Sequence, residues 1–388
     1  MAGAKVAARA GKSPTRVRRQ NLTMPVATAG RSHMRLCMAF RYGAPDLIRF
    51  ASDLLRHGGL EAEKSSAVAE ILAEGDLLGH TTHGLQLLAP YLIDLENGHM
   101  TKTGAPLVLA DFPAAITWDG RHLPGPWLVL QAIGLAADRA KTNGMCTVVI
   151  RSSHHIACLA AYLKRVTDQN LMVLLSCSDP RPASVAPHGG RRPLYTPNPI
   201  AAAWPTGSDP VMLDVSLSIT SNGFVNRCRA EGRRLPGPWL IDHEGNPTDD
   251  PAAAFTQPPG ALLPIGGLDH GHKGYALGLL VETLTSGLAG RGRADPQTKW
   301  TANVFLQVID PALFGGAENF LRQTAWLSTA CHDTPPRPGF DRVRLPGESG
   351  LRRREAQLKN GVELHPGILP ALAPWAQKLG VAPPAPLT

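Results

Sequence analysis

The stretch Cys146-Thr-Val-Val-Ile-Arg-Ser-Ser-His-His155, followed by a second apolar run at Leu171-Met-Val-Leu-Leu-Ser176, decides the fold class. Both runs are short and rich in β-branched or aliphatic residues, which predicts two buried strands. Between them a helical pattern passes through Leu159 and Tyr162. A strand–helix–strand order reads as a crossover unit of a parallel or mixed sheet. Side chains just past the carboxyl end of such a strand face the ligand crevice, and here they are Ser152-Ser-His-His155.

Working outward, further strands are expected at Pro210–Val215 and Asn303–Ile309, with a helix through Tyr275–Leu288. Upstream, Leu47, Ile48, Phe50, Ala51, Leu54 and Leu55 repeat at three and four residues and stop at Gly58-Gly59. A second helix carries Val68, Ile71 and Leu72 and ends near Gly79. A third carries Leu85, Leu88, Tyr91, Leu92 and Leu95, so that Thr82-His83-Gly84 is a turn between two amphipathic helices. The Pro/Gly-rich stretches Asp179–Pro199 and Asn246–Gly267 are expected to build the site rather than to act as linkers. Leu-Pro-Gly-Pro-Trp-Leu occurs at 123–128 and at 235–240 in unmatched surroundings, and is read as coincidence.

Composition narrows the function. With 388 residues, 43% hydrophobic and 18% charged, the chain can bury a sizeable core and is not a disordered protein. No apolar run reaches the roughly 18 residues that span a bilayer, so a membrane protein is not expected. The net charge of +8 lies entirely in residues 1–37, which hold eight Lys or Arg and no Asp or Glu. The remainder is neutral, so nucleic acid is not an expected partner. The basic tail fits a transit peptide, a start at Met38, or a disordered arm. Six cysteines without a CxxC pair point to unpaired thiols in a reducing cytoplasm.

The glycine fingerprint of an ordinary dinucleotide fold is missing. Gly290-Arg-Gly292 follows a helix and lacks the third glycine. Four polar clusters remain: Gly79-His-Thr-Thr-His-Gly84; Ser152-Ser-His-His155; Asp214-Val-Ser216; and His270-Gly-His-Lys-Gly-Tyr275. A neutral imidazole at a strand end can accept an alcohol proton as hydride leaves the carbon. Asp214 could accept bonds from ribose hydroxyls. Lys273 with free helix N–H groups would attract phosphate or carboxylate. Each cluster also has a structural reading, and His80 is taken as a structural histidine. His80/His83 and His270/His272 lack the glutamate of a zinc HExxH motif, so no metal is expected.

Taken together, the strings at 75–85, 152–156, 197–200, 212–216, 272–277 and 345–349 resemble the malate/L-lactate/L-sulfolactate dehydrogenase family over about residues 38–380. The resemblance implies an NAD- or NADP-dependent oxidoreductase of a small 2-hydroxy or 2-oxo acid, acting as a homodimer with the cofactor near the subunit interface. It implies an α/β fold: a non-Rossmann, mixed-sheet cofactor domain at 121–315 and a mainly helical substrate and dimerisation domain from 38–120 and 316–388. The family's two active-site histidines fall on His83 and His155. Its cofactor contacts fall on Ser178, Asp214, Ser216, His272, Lys273, Gly347 and Glu348. Thr82 stands in place of the usual Ser, and Ala157 and Ala160 in place of glycines. Leu87 stands where many members have an Arg suited to a substrate carboxylate, which leaves the substrate open. Two alternatives accompany this expectation: reduction of a cyclic imine such as piperideine-2-carboxylate, and a non-catalytic homologue that keeps the cofactor pocket.

Overall fold

A computed structural model describes residues 40–387, so the basic tail lies outside the described residues. Its centre is a seven-stranded mixed sheet. The strands are β2 (Leu107–Phe112), β3 (Ala115–Asp119), β4 (Met145–Ser153), β5 (Met172–Ser178), β6 (Ile200–Trp204), β7 (Val211–Val215) and β11 (Ala302–Ile309). Their spatial order is β2-β3-β4-β11-β5-β6-β7. Only β3 and β4 are parallel neighbours, and every other pair is antiparallel.

The expected crossover is present with an insertion. Helix α5 (Ala160–Thr167) links β4 to β5, which run in the same direction, and β11 lies between them, antiparallel to both. The sheet is therefore mixed, and its central strand comes from more than 120 residues downstream of β5. Val148, Ile150, Val173, Leu175, Val304, Leu306 and Val308 are fully buried, which explains why these strands read as continuous apolar runs. The β2–β3 hairpin also belongs to this sheet, so sheet structure starts at Leu107, ahead of residue 121.

Helix α4 (Gly125–Asn143) packs on β4 and β11. The helical layer is built from both ends of the chain: α1 (Ala44–His57), α2 (Ala62–Leu78) and α3 (Leu88–Glu96) with α9 (Glu348–Asn360) and α10 (Ile368–Leu379). α2 contacts α1, α4, α5 and α9, and α10 contacts α3 and α1. The stripe predicted for α1 is the stripe buried, and Asp46 at its start with Arg56 and His57 at its end match the helix dipole. α2 is buried on nearly all sides, and Gly79, left-handed at φ 92°, ends it and releases the 80–84 turn. Two-stranded β1 (Arg41–Tyr42) and β12 (Val362–Glu363) join the two ends of the chain.

A three-stranded sheet of β8 (Leu240–Ile241), β9 (Pro247–Thr248) and β10 (Ala261–Leu262) orders much of the Pro/Gly-rich sequence, beside α6 (Asn222–Ala230). The repeated hexapeptide adopts two conformations: at 123–128 it opens α4, and at 235–240 it is a loop entering β8. Two helices complete the chain. α7 (Gly267–Glu282) continues through a π-turn at Thr283–Gly287, and α8 (Ala317–Asp333) has no buried residue. Among the described residues no helix is long and apolar enough to cross a membrane.

Candidate active site

The Thr-His-Gly turn is held by tight packing on the end of α2. A Cβ at Gly84 would stand 2.4 Å from Asp76 Oδ2, and one at Gly75 would stand 3.1 Å from the His83 carbonyl oxygen. Asp76 Oδ2 accepts the Leu85 N–H at 2.7 Å and so anchors the start of the next helix. Its Oδ1 is buried without a partner, and burial pushes the carboxyl up to about 7. Thr82 Oγ1 lies 2.9 Å from His83 Nδ1, which fixes the plane of the imidazole. Burial lowers the His83 pKa, partly opposed by the negative charge of Asp214.

His155 projects from the residues just past β4. Its Nδ1 accepts the Ala157 N–H at 3.2 Å and meets the Tyr91 hydroxyl at 2.8 Å. A backbone amide can only donate, so Nδ1 bears no hydrogen and the neutral ring carries its proton on Nε2. Trp300 stacks on the ring at 4.5 Å between centroids. Burial, with the positive fields of His83 and His154 added, pulls the His155 pKa well down. The two candidate rings face each other, with centroids 6.2 Å apart and planes 28° from parallel. Both keep part of their surface accessible. His154, by contrast, is fully buried and pairs through Nε2 with Asp94 Oδ2 at 2.9 Å. The first turn of α4 closes over this segment: a Cβ at Gly125 would meet the carbonyl oxygens of His154 and His155 at 2.4 Å.

Asp214 ends β7 on the same side. Its Oδ2 accepts the Ala160 N–H at 2.8 Å and lies 3.7 Å from Cys158 Sγ. Candidate ligand atoms of His80, Cys158 and Asp214 lie within 4.8 Å of one another, the only such group found among the described residues. It shares only His80 with the histidine pairs the sequence suggested.

The remaining sequence candidates are more dispersed. Ser178 is buried, with its hydroxyl bonded to Thr285 Oγ1 and Ser286 Oγ at 2.7 and 3.1 Å. Ser216 pairs with Ser218 at 2.7 Å. Gly347, at φ 89°, packs so closely that a Cβ would stand 2.7 Å from Met212 Cβ, two residues before Asp214. Glu348 accepts from Arg342 at 2.5 Å and Arg352 at 2.6 Å, and faces His332 at 3.3 Å, forming an ion network of the C-terminal segment. His272 and Lys273 are exposed.

One expectation needs correction. α7 opens at Gly267, a turn and a half before Lys273, because Gly266 and Gly267 at φ 95° and 61° reverse the chain there. The first-turn amides are those of Gly267, Leu268 and Asp269, of which Gly267 already donates to the Pro264 carbonyl at 2.9 Å, and Lys273 stands in the second turn as a point charge. Among the described residues it has no carboxylate partner within 4 Å.

Two site residues escaped the sequence reading. Tyr91 has core spacing in its helix, yet its hydroxyl is what meets His155. Trp300 lies in a loop with no motif around it.

Comparison with known proteins adds the chemistry of relatives. A family profile described as Malate/L-lactate dehydrogenase matches residues 43–373. An L-lactate dehydrogenase of Cupriavidus necator is 33% identical over 344 residues, covering 87% of this chain and 97% of the relative. A malate dehydrogenase of Pyrococcus horikoshii is 32% identical, covering 86% and 94%. The crystal structure of a delta1-piperideine-2-carboxylate reductase from Pseudomonas syringae superposes with a TM-score of 0.77 at 30% identity, covering 87% and 99%.

Proposed function

The chain belongs to the malate/L-lactate dehydrogenase family, and from that membership we infer that it is an oxidoreductase interconverting a small 2-hydroxy acid and the corresponding 2-oxo acid with a nicotinamide cofactor. The observation that carries the reading in this chain is the facing pair His83 and His155, one ring fixed as the Nε2–H tautomer. When bound, NAD or NADP supplies or takes up hydride at the substrate's C2. The protein's own residues manage the oxygen and its proton.

His155 presents Nε2–H to the substrate oxygen as a neutral hydrogen-bond donor. It polarises the carbonyl in reduction and steadies the alkoxide in oxidation. It is poorly placed to take up a second proton, because Nδ1 already accepts from Ala157 and burial disfavours the cation. His83 is the proton-exchanging group. Donation of Nδ1–H to Thr82 Oγ1, 2.9 Å away, would leave Nε2 to accept the alcohol proton, and Asp214 would help to stabilise the imidazolium that results.

The family reading assigns the remaining polar residues to the cofactor. Asp214 and Ser216 at the end of β7 would face ribose hydroxyls, and unpaired Lys273 would face the pyrophosphate. Ser178 is already bonded to Thr285 and Ser286, Gly347 is packed on Met212, and Glu348 is held in its ion network, so they would shape the cofactor pocket more than bind in it. α7 and α8 present Leu277, Leu280, Trp326 and Leu327 to solvent, and α8 buries none of its residues, which supports a homodimer. The helical layer and the sheet layer are proposed as the substrate and cofactor parts of each subunit. Five unpaired cysteines among the described residues suit a reducing, cytoplasmic setting.

The test is NADH and NADPH oxidation by purified protein across a panel of 2-oxo acids, with cyclic imines at matched concentration. Turnover of at least one 2-oxo acid is expected. Activity confined to cyclic imines would favour the second reading, which the likeness to the Pseudomonas reductase motivates.

A further inference from the structure

The histidine pair can manage a proton, but a 2-oxo acid also brings a carboxylate, and the segment around His83 offers it no cation. Position 87, at the start of α3, is half-buried Leu87. The positive charge on this turn comes from elsewhere in the chain. The first turn of α6 lies against the Thr-Thr-His-Gly segment, where a Cβ at Gly223 would stand 3.2 Å from Thr82 Cβ. Ser221 caps this helix by accepting the Phe224 N–H at 3.1 Å, which fixes its direction. Arg227 follows Gly223 by four residues and so shares its face. Its guanidinium reaches across the turn, with Nη1 donating to Thr81 Oγ1 at 3.1 Å and Nη2 to Gln86 Oε1 at 2.7 Å.

Two features make this arginine unusual. Both side chains that orient it are neutral, and among the described residues no carboxylate lies within 4 Å of it. Arg293 and Arg151 are also partly buried but are paired with Glu282 and Asp119, and Arg291, likewise without a carboxylate within 4 Å among the described residues, stands beside Asn303. The positive charge of Arg227 is felt by Asp76, whose carboxyl burial nevertheless pushes up to about 7. A guanidinium held in place on two sides of the His83 turn, with donors to spare and no anion, has the form of a carboxylate receptor.

We propose that Arg227 binds the carboxylate of the 2-oxo acid, supplying from α6 the cation that Leu87 does not provide. The assignment rests on the 2-oxo acid reading given above. It makes Arg227 a substrate-binding residue that selects for a free carboxylate, with little part in moving the hydride or the proton.

The experiment compares wild type with Arg227→Met and Arg227→Lys on a 2-oxo acid and on the methyl ester of the same acid. Oxamate inhibition and cofactor Kd are measured alongside. For Arg227→Met the KM of the acid and the inhibition constant of oxamate should rise about 10- to 100-fold, as for loss of a charged hydrogen-bonding partner. The KM of the ester, the cofactor Kd and kcat at saturation should stay within about threefold, and Arg227→Lys should recover part of the loss. An unchanged KM for the acid, or equal rises for acid and ester, would overturn the assignment. Wild-type protein inert towards every 2-oxo acid would instead overturn the activity itself, and this assignment with it.

Discussion

The two histidine-bearing regions of this protein are built in opposite ways. At His83 and His155 every ring has a partner: Thr82 on one, and Tyr91, the Ala157 amide and Trp300 on the other. Both pKa values are displaced downwards by burial. At the start of α7, His270, His272 and Lys273 are exposed, and Lys273 has no anionic partner among the described residues. The first region is preset by the protein, as groups that exchange a proton with the reacting oxygen or donate a hydrogen bond to it must be. The second is left for a ligand to complete. The difference separates groups expected to govern rate from groups expected to govern affinity.

The sharpest way to break this division is at His83. His83→Asn should lower kcat by about a hundred- to ten-thousandfold in both directions, the range for a lost general acid–base group. It should also abolish the acidic limb of the pH profile. In wild type, hydroxy acid oxidation needs the neutral ring, so kcat/KM should rise with pH through an apparent pKa below 6.5 and be level at neutral pH. His155→Asn should cost somewhat less, about a hundred- to a thousandfold, as for a lost oxyanion donor, and should keep that limb. If His155→Asn removed the limb and His83→Asn retained it, the two roles would be exchanged.

At the exposed region, Lys273→Met should raise the cofactor KM about 10- to 100-fold and leave kcat within a few-fold, measured by steady-state kinetics at saturating substrate. A large fall in kcat would place Lys273 in the preset group. Tyr91→Phe should have the smallest effect. It removes one hydrogen bond to His155 while the Ala157 amide still holds Nδ1, so kcat should fall about tenfold or less, with the acidic limb unmoved.

Which of these features were legible in the sequence follows from how local their causes are. α1, α2, α3, β4 and β5 were readable because one face or both faces are buried and the period shows it. β2 was not, because Leu107, Val108, Leu109 and Phe112 are all exposed and show no alternation, and β3 buries only Ile116 and Trp118 in a run of five residues. β6, Ile200-Ala-Ala-Ala-Trp204, lacks the β-branched run that marks a strand, since small residues fit beneath α5. The placement of β11 between β4 and β5 is a long-range pairing that no local pattern encodes.

The same rule divides the site. His83 and His155 stood out as polar residues at the ends of apolar segments. Tyr91 was hidden in a helical stripe where its spacing is that of a core residue, and Trp300 and Arg227 act only through tertiary contacts. The start of α7 was placed late because His270–Tyr275 carries the visible polarity, whereas Gly266 and Gly267 set the turn. Ala157 is left-handed at φ 60°, a conformation that favours glycine, and its amide is the group that fixes the His155 tautomer.

His83 and His155 are proposed to serve direct hydride transfer to C2 of a 2-oxo acid. Reduction of the best 2-oxo acid with nicotinamide cofactor deuterated at C4, followed by mass spectrometry and proton NMR of the product, tests it most directly. One deuterium is expected at C2 of the 2-hydroxy acid from one face of the cofactor, with none from D2O solvent. Deuterium entering from solvent instead, or no cofactor oxidation with any 2-oxo acid, would contradict it.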